Sequence, residues 1–156
     1  MWMATSRPQA ARAPGRSLRA RAPLRSEVVD VVRSVRAQRS SQLGQWGEEL
    51  AAAELAEGGL TVLARNWRCG QGELDLVGRE DDGTVVFVEV KTRAGTGFGV
   101  PAEAVGWRKA ARIRRLACAW LALHRPAGTT GLRFDVGGIV RRPGEAPEVT
   151  HLRGAF

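Results

Sequence analysis

The chain has 156 residues, 44% apolar and 26% charged, which is the size and make-up of one globular domain with a real hydrophobic core. No apolar run approaches the ~18 residues of a membrane-spanning helix, no apolar stretch follows the basic N-terminus as in a signal peptide, and Cys69 and Cys118 are too few for a disulfide scaffold. A reducing, cytoplasmic compartment is expected, and the net charge of +8 points to a polyanionic partner, nucleic acid or an anionic membrane surface.

The charge is unevenly placed. Residues 1–40 hold nine arginines against Glu27 and Asp30, a net of +7, whereas residues 41–156 hold 15 basic and 14 acidic residues, a net of +1. The chain is therefore read as a basic tail, 1–40, followed by one domain, 41–156. Residues 1–26 carry too little apolar surface to offset ordering entropy and are expected to be disordered; Glu27 to Arg39 is valine-rich and reads as a marginal helix. The tail is either a basic arm on nucleic acid or a drifting extension.

From Gln42 the pattern becomes helical through AAAELAE and stops at Gly58–Gly59. Leu60 to Arg65 reads as a strand and Asn66 to Gly72 as a turn. Glu73–Gly78 and Thr84–Lys91 read as two strands around the turn Asp81-Asp82-Gly83. A glycine-rich loop, Thr92 to Val100, precedes a helix expected from Pro101 to about His124, with Val105, Ile113, Leu116, Trp120 and Leu123 as its apolar stripe. Leu132–Val140 and Val149–Leu152 are the last strands. The order α, β, β, β, α, β, β predicts an α/β fold, a mixed central sheet flanked by helices.

The hairpin carries the chemistry. A three-residue loop at Asp81–Gly83 pairs residues whose numbers sum to 164, so that Leu76 faces Val88, Leu74 faces Val90 and Asp75 faces Glu89. The even-numbered face is then wholly apolar, with Val86 added, and belongs to the core. The odd-numbered face is apolar near the turn and holds Glu73, Asp75, Glu89 and Lys91 at its open end. Two opposed carboxylates repel each other unless a hard cation lies between them, and Mg²⁺ or Mn²⁺ favours one or two carboxylates with water and phosphate oxygens. Lys91, on the same face, is placed to orient a metal-bound water or to stabilise developing charge. Of the 24 basic residues 22 are arginine and only Lys91 and Lys109 are lysine, so a lysine here asks for a chemical reason. The bland alternative is cross-strand ion pairing, Glu73 with Lys91 and Glu89 with Arg93 or Arg68.

Asp75 followed by Glu89-Val90-Lys91 resembles the D…(D/E)xK signature of the restriction-endonuclease-like nuclease superfamily, the PD-(D/E)xK enzymes. Within it the chain resembles the uncharacterised bacterial YraN-like family. The matching blocks are GQWGEELAAAEL (44–55), LARNWRCGQGELDLV (63–77), VVFVEVKTR (85–93), GVPAEAV (99–105) and RFDV (133–136). Leu74 stands where the superfamily signature has proline. The resemblance implies a restriction-endonuclease-like core. It implies Asp75 and Glu89 as ligands of a divalent metal with the Val90 carbonyl as a third, Lys91 as the residue that positions or activates water, and Glu48 as a further acid brought to the site by the first helix. The alternative for Glu48 is a solvated helix acid beside Glu49.

The remaining features are weaker. Arg108, Lys109, Arg112 and Arg115 on the long helix read as phosphate contacts or as a solvated helix face. Trp67 and Arg68 read as a contact to a splayed base, or, for Trp67, as core packing. Arg133 and Asp135 read as a structural ion pair. His124 and His151 are isolated, no Cys/His cluster supports zinc, and no GxSxG or Cys-His arrangement appears. The leading expectation is a Mg²⁺- or Mn²⁺-dependent endonuclease acting on nucleic acid, DNA ahead of RNA, with no membrane partner; a homodimer acting on two strands fits the same reading. The alternative is a non-catalytic nucleic-acid-binding protein on a nuclease-like fold.

Overall fold

A computed structural model describes residues 25–95 and 105–156, and for 25–28 and 30–32 the backbone alone. The expected tail up to Pro23 and Leu24, and the glycine-rich segment 96–104 with the helix start at Pro101, lie outside the described residues.

Seven elements follow one another: α1 (Arg25–Glu57), β1 (Thr61–Cys69), β2 (Gly72–Arg79), β3 (Thr84–Ala94), α2 (Trp107–His124), β4 (Gly131–Arg141) and β5 (Glu148–Leu152). The strands form one sheet in sequence order, antiparallel except for the parallel pair β3–β4, which the α2 crossover makes possible. The mixed sheet flanked by helices is thus as expected. The marginal helix at 27–39 and the helix from Gln42 prove to be one continuous helix, since no glycine or proline interrupts residues 25–43.

Apolar alternation places a core on each side of the sheet. Ala51, Ala52 and Leu55 of α1 pack with Leu60, Leu76, Val86, Val88, Val90 and Ile139. Ile113, Leu116, Ala117 and Trp120 of α2 pack with Leu74, Val77, Val85 and Phe87. Of the expected helix stripe Leu123 stands out, 71% exposed, because the His124 ring rather than Leu123 covers Trp120, stacked at 4.5 Å. Gly47 brings α1 onto β3: a Cβ there would fall on the Thr92 hydroxyl and within 2.9 Å of Thr92 Cβ.

The β2–β3 hairpin has the expected register. Glu80 N–H donates to the Thr84 carbonyl at 3.0 Å, Gly83 takes φ +90°, and Leu76 pairs with Val88. Two local readings change. The segment from Asn66 is strand rather than turn, and β1 runs on to Cys69 before a two-residue link to Gly72. Asn66 sits in the left-handed region at φ 48°, a conformation its short amide tolerates, and this crease lets the strand continue. Asn66 lies between the pairs Arg65–Leu76 and Trp67–Leu74, hence across from Asp75. At the crease the faces exchange, and Leu74 joins the α2-side core instead of the face of Leu76.

The far side of β4 carries an ionic lock. Asp135, fully buried, accepts hydrogen bonds from Arg133 Nε (2.9 Å), His151 Nε2 (2.7 Å) and Gly154 N (2.9 Å). Arg133 continues to Glu80 at 2.8 Å on both terminal nitrogens, and Arg153 joins Glu80 at 2.8 Å. The expected Arg133–Asp135 pair is therefore one link in a network that ties the C-terminal residues to β4. His151, expected to be isolated, belongs to it.

Candidate active site at the strand fork

The β2–β3 ladder ends at Leu76–Val88. Beyond it β2 stays paired with β1 down to Gly72, while β3 stays paired with β4 up to Ala94. The two strands fork, and their polar ends face the gap. Asp75 spans it: its Oδ2 accepts the Val90 N–H at 2.8 Å. Asp75 and Glu89 thus come to one place without being a ladder pair.

Glu89 is 7% exposed and meets two ammonium groups through one oxygen. Lys91 Nζ lies 2.8 Å from Glu89 Oε1, and Lys109 Nζ of α2 closes on the same atom. Sequence reasoning placed Lys109 in the row of phosphate contacts; the structure turns it inward. The signal was there in composition, because the two lysines of the chain converge on one carboxylate. The pairing of Glu73 with Lys91 does not form. Glu73 instead takes Arg68, its partner on β1, in a two-pronged contact at 3.0 and 3.2 Å.

Glu48 enters from α1, one residue past Gly47. The Asn66 side chain, at the crease in β1, hydrogen-bonds to it. Asn66 was not singled out from sequence; an asparagine inside a strand pattern, tolerant of positive φ, was the available sign. Gln45, Glu48, Glu49, Arg65, Asn66 and Asp75 line a cleft of about 310 Å³. On the other flank Arg68, Cys69, Gly72, Glu73 and Arg112 line one of about 390 Å³. Arg108 and Arg115 stand exposed on α2, Arg108 stacked over the Trp107 ring at 5.1 Å. Trp67 packs at the edge of the α2-side core.

The electrostatics follow from this crowding. Burial, and then the charges of Glu89 and Glu48, push the Asp75 carboxyl up to about 7, against the Val90 N–H and Lys109, which oppose the rise. Burial, with Glu73 and Glu89, also raises Glu48 despite its hydrogen bond from Asn66. Burial depresses Lys91, but its contact with Glu89 more than offsets this and its pKa lies above the ordinary value. Burial and the neighbouring Lys91 hold Lys109 below it. Positive charge placed beside Asp75 and Glu48, the two acids raised here, would favour their ionised forms.

Among the described residues no three His, Cys, Asp or Glu side chains converge at metal-binding range. Asp75 and Glu89 are the two carboxylates at the fork that could serve as cation ligands, a number that a hard ion keeping water or substrate oxygens can use. Among the described residues no helix is long and apolar enough to cross a membrane.

Residues 47–139 match the uncharacterised protein family UPF0102. A UPF0102 protein of Frankia alni is 59% identical over 114 residues, covering 73% of this chain and 93% of that one. One of Acidothermus cellulolyticus is 52% identical over 123 residues, covering 73% and 92%, and one of Mycolicibacterium smegmatis is 53% identical over 115, also covering 73% and 92%. Among solved structures, a chain of the EndoMS-dsDNA2 complex is similar at 24% identity with a TM-score of 0.27, over 60% of this chain and only 35% of that one. At that score the superposition is too loose to transfer a fold or a role.

Proposed function

The chain belongs to the uncharacterised protein family UPF0102, and on that premise we propose that it is a metal-dependent nuclease hydrolysing phosphodiester bonds in nucleic acid, with DNA as the first substrate to test. One observation carries the reading. The fork of β2 and β3 brings Asp75 and Glu89 into one electrostatic environment, with Lys91 in contact with Glu89. The resemblance to the D…(D/E)xK signature adds the expectation of a restriction-endonuclease-like core.

Bound Mg²⁺ or Mn²⁺ would supply positive charge to polarise the scissile phosphate and lower the pKa of a water. Asp75 and Glu89 would hold the ion, with the Val90 carbonyl as the third protein donor that the resemblance implies. Lys91 aligns the attacking water and stabilises charge in the transition state, held in place by Glu89. Glu48, its carboxyl raised by burial and its acidic neighbours, lines the same cleft and would accept or return a proton there. Arg68, Arg108, Arg112 and Arg115 supply phosphate contacts from the two sides.

A second reading, a non-catalytic nucleic-acid-binding protein on the same fold, is favoured by the saturation of Glu89 by two ammonium groups. Calorimetry at pH 8 separates the two. One Mg²⁺ bound by the wild type and lost in Asp75→Ala and Glu89→Ala, together with oligonucleotide cleavage lost in Lys91→Ala, supports the nuclease. Nucleic-acid binding without any metal uptake or cleavage overturns it in favour of the second reading.

A further inference from the structure

Lys109 stands on the first turn of α2 between Arg108 and Ala110, in a row of arginines that face solvent. It leaves that row. Its ammonium crosses from α2 to the strand fork and shares Glu89 Oε1 with Lys91. One carboxylate, 7% exposed, is thereby held by two positive charges from two different elements. Two ammonium groups on one oxygen repel each other, and a divalent cation on that oxygen would add a second, larger repulsion. All three cannot remain.

Geometry decides which leaves. Lys91 is fixed on β3, two residues from Glu89 on the same strand, and the β3–β4 ladder holds that stretch rigid. Lys109 reaches across from a separate helix, so its backbone is not tied to the strand that carries Glu89; exposure does not separate the two, at 27% for Lys109 and 31% for Lys91. One helical turn on from it, Arg112 borders the cleft that also holds Arg68. A phosphate lying in that cleft is where a displaced Lys109 would find its next partner.

We propose that Lys109 and a divalent cation compete for Glu89 Oε1, and that the cation hands the Lys109 ammonium to a backbone phosphate of the nucleic acid. Lys109 is then a further residue of the site, one that couples cation loading to substrate binding. The coupling is reciprocal: nucleic acid that holds Lys109 eases cation entry, and the cation tightens nucleic-acid binding. The inference rests on the cation reading of Asp75 and Glu89 proposed above.

The composition provides the assay, because Lys91 and Lys109 are the two lysines of the chain. The full chain is pulsed with acetic anhydride, with and without Mg²⁺ and with no nucleic acid present, and acetylation of each lysine is read by mass spectrometry. Saturating Mg²⁺ is expected to raise the acetylation of Lys109 relative to Lys91 about fivefold; an unchanged or lower ratio overturns the proposal. Calorimetry then compares the wild type with Lys109→Met and Lys109→Gln, the second guarding against a folding defect in the first. Both variants are expected to bind Mg²⁺ about tenfold more tightly, while a single-stranded DNA oligomer loses the gain in affinity that Mg²⁺ gives the wild type. Equal or weaker Mg²⁺ binding overturns the proposal. If none of the three proteins binds Mg²⁺, this proposal and the nuclease reading fail together. If the variants do tighten but no substrate is cut, the nuclease reading alone fails.

Discussion

Asp75→Asn removes a charge that the fold resists. Burial and the acids Glu89 and Glu48 raise the Asp75 carboxyl from 3.8 to about 7, so between those values the folded chain holds a proton that the unfolded chain has released. Stability from this group is fully present below about pH 4 and is lost as pH rises toward 7. At 1.36 kcal/mol per pH unit the whole loss is about 4 kcal/mol, more than half of which falls between pH 5 and pH 8. Asparagine stays neutral and keeps an oxygen to accept the Val90 N–H, which lies 2.8 Å from the native carboxylate. The variant is therefore expected to be more stable than wild type at pH 8 by about 2–4 kcal/mol, with an advantage less than half as large at pH 5. Urea unfolding in EDTA at the two pH values measures this. An advantage that does not grow with pH, or a variant less stable at pH 8, refutes the electrostatic account of the fork. The same variant is expected to lose Mg²⁺ uptake, so stability and function move in opposite directions at one atom.

Three further outcomes follow from the packing and charge. Gly47→Ala is expected to cost about 1–3 kcal/mol by pushing α1 off Thr92; in Gly47→Ala/Thr92→Gly the thermal penalty is expected to be less than additive, and full additivity would mean that the contact is not the cause. Asp135→Ala leaves Arg133 Nε, the His151 ring and the Gly154 N–H without their acceptor, while Arg133 keeps Glu80, and is expected to cost about 1–3 kcal/mol in denaturant unfolding. In the wild type those partners, with Gly154 N–H, overcome burial and hold the Asp135 carboxyl down to about 2, so its contribution is present above about pH 4 and lost as pH falls toward 2; acid unfolding reads it. Replacing Arg108, Arg112 and Arg115 together with glutamine is expected to flatten the salt dependence of nucleic-acid binding by about 2–3 in log–log slope, measured by anisotropy; an unchanged slope removes this face from the interface.

The hairpin was legible in the sequence because its information is local. A three-residue loop ending in Gly83 sets the register, and alternation of Leu76, Val86 and Val88 with Val77, Val85 and Phe87 assigns the faces. The fork was not legible, because where β2 and β3 part depends on β1 and β4, whose pairing no local pattern states. The crease at Asn66 hid for a related reason: asparagine reads as a turn residue, and only the surrounding ladder shows that the strand passes through it. Lys109 was visible as an oddity of composition, yet its helix face alone assigned it to solvent. Its true neighbour comes from how α2 lies over β3, which is a tertiary fact.

The parallel pairing of β3 with β4 has a consequence for how the site comes into being. Thr84 pairs with Gly131, 47 positions on, and the stretch of β3 bearing Glu89 and Lys91 takes its ladder partners from Val136 to Gly138. During synthesis Glu48, Asp75, Glu89, Lys91 and Lys109 all leave the ribosome before the strand that holds β3 straight. A chain ended at Arg125 would contain each of these side chains but lack the strand that pairs with β3 along Glu89 and Lys91. The site is encoded early and built last, a property of the completed sheet rather than of the segment that spells it.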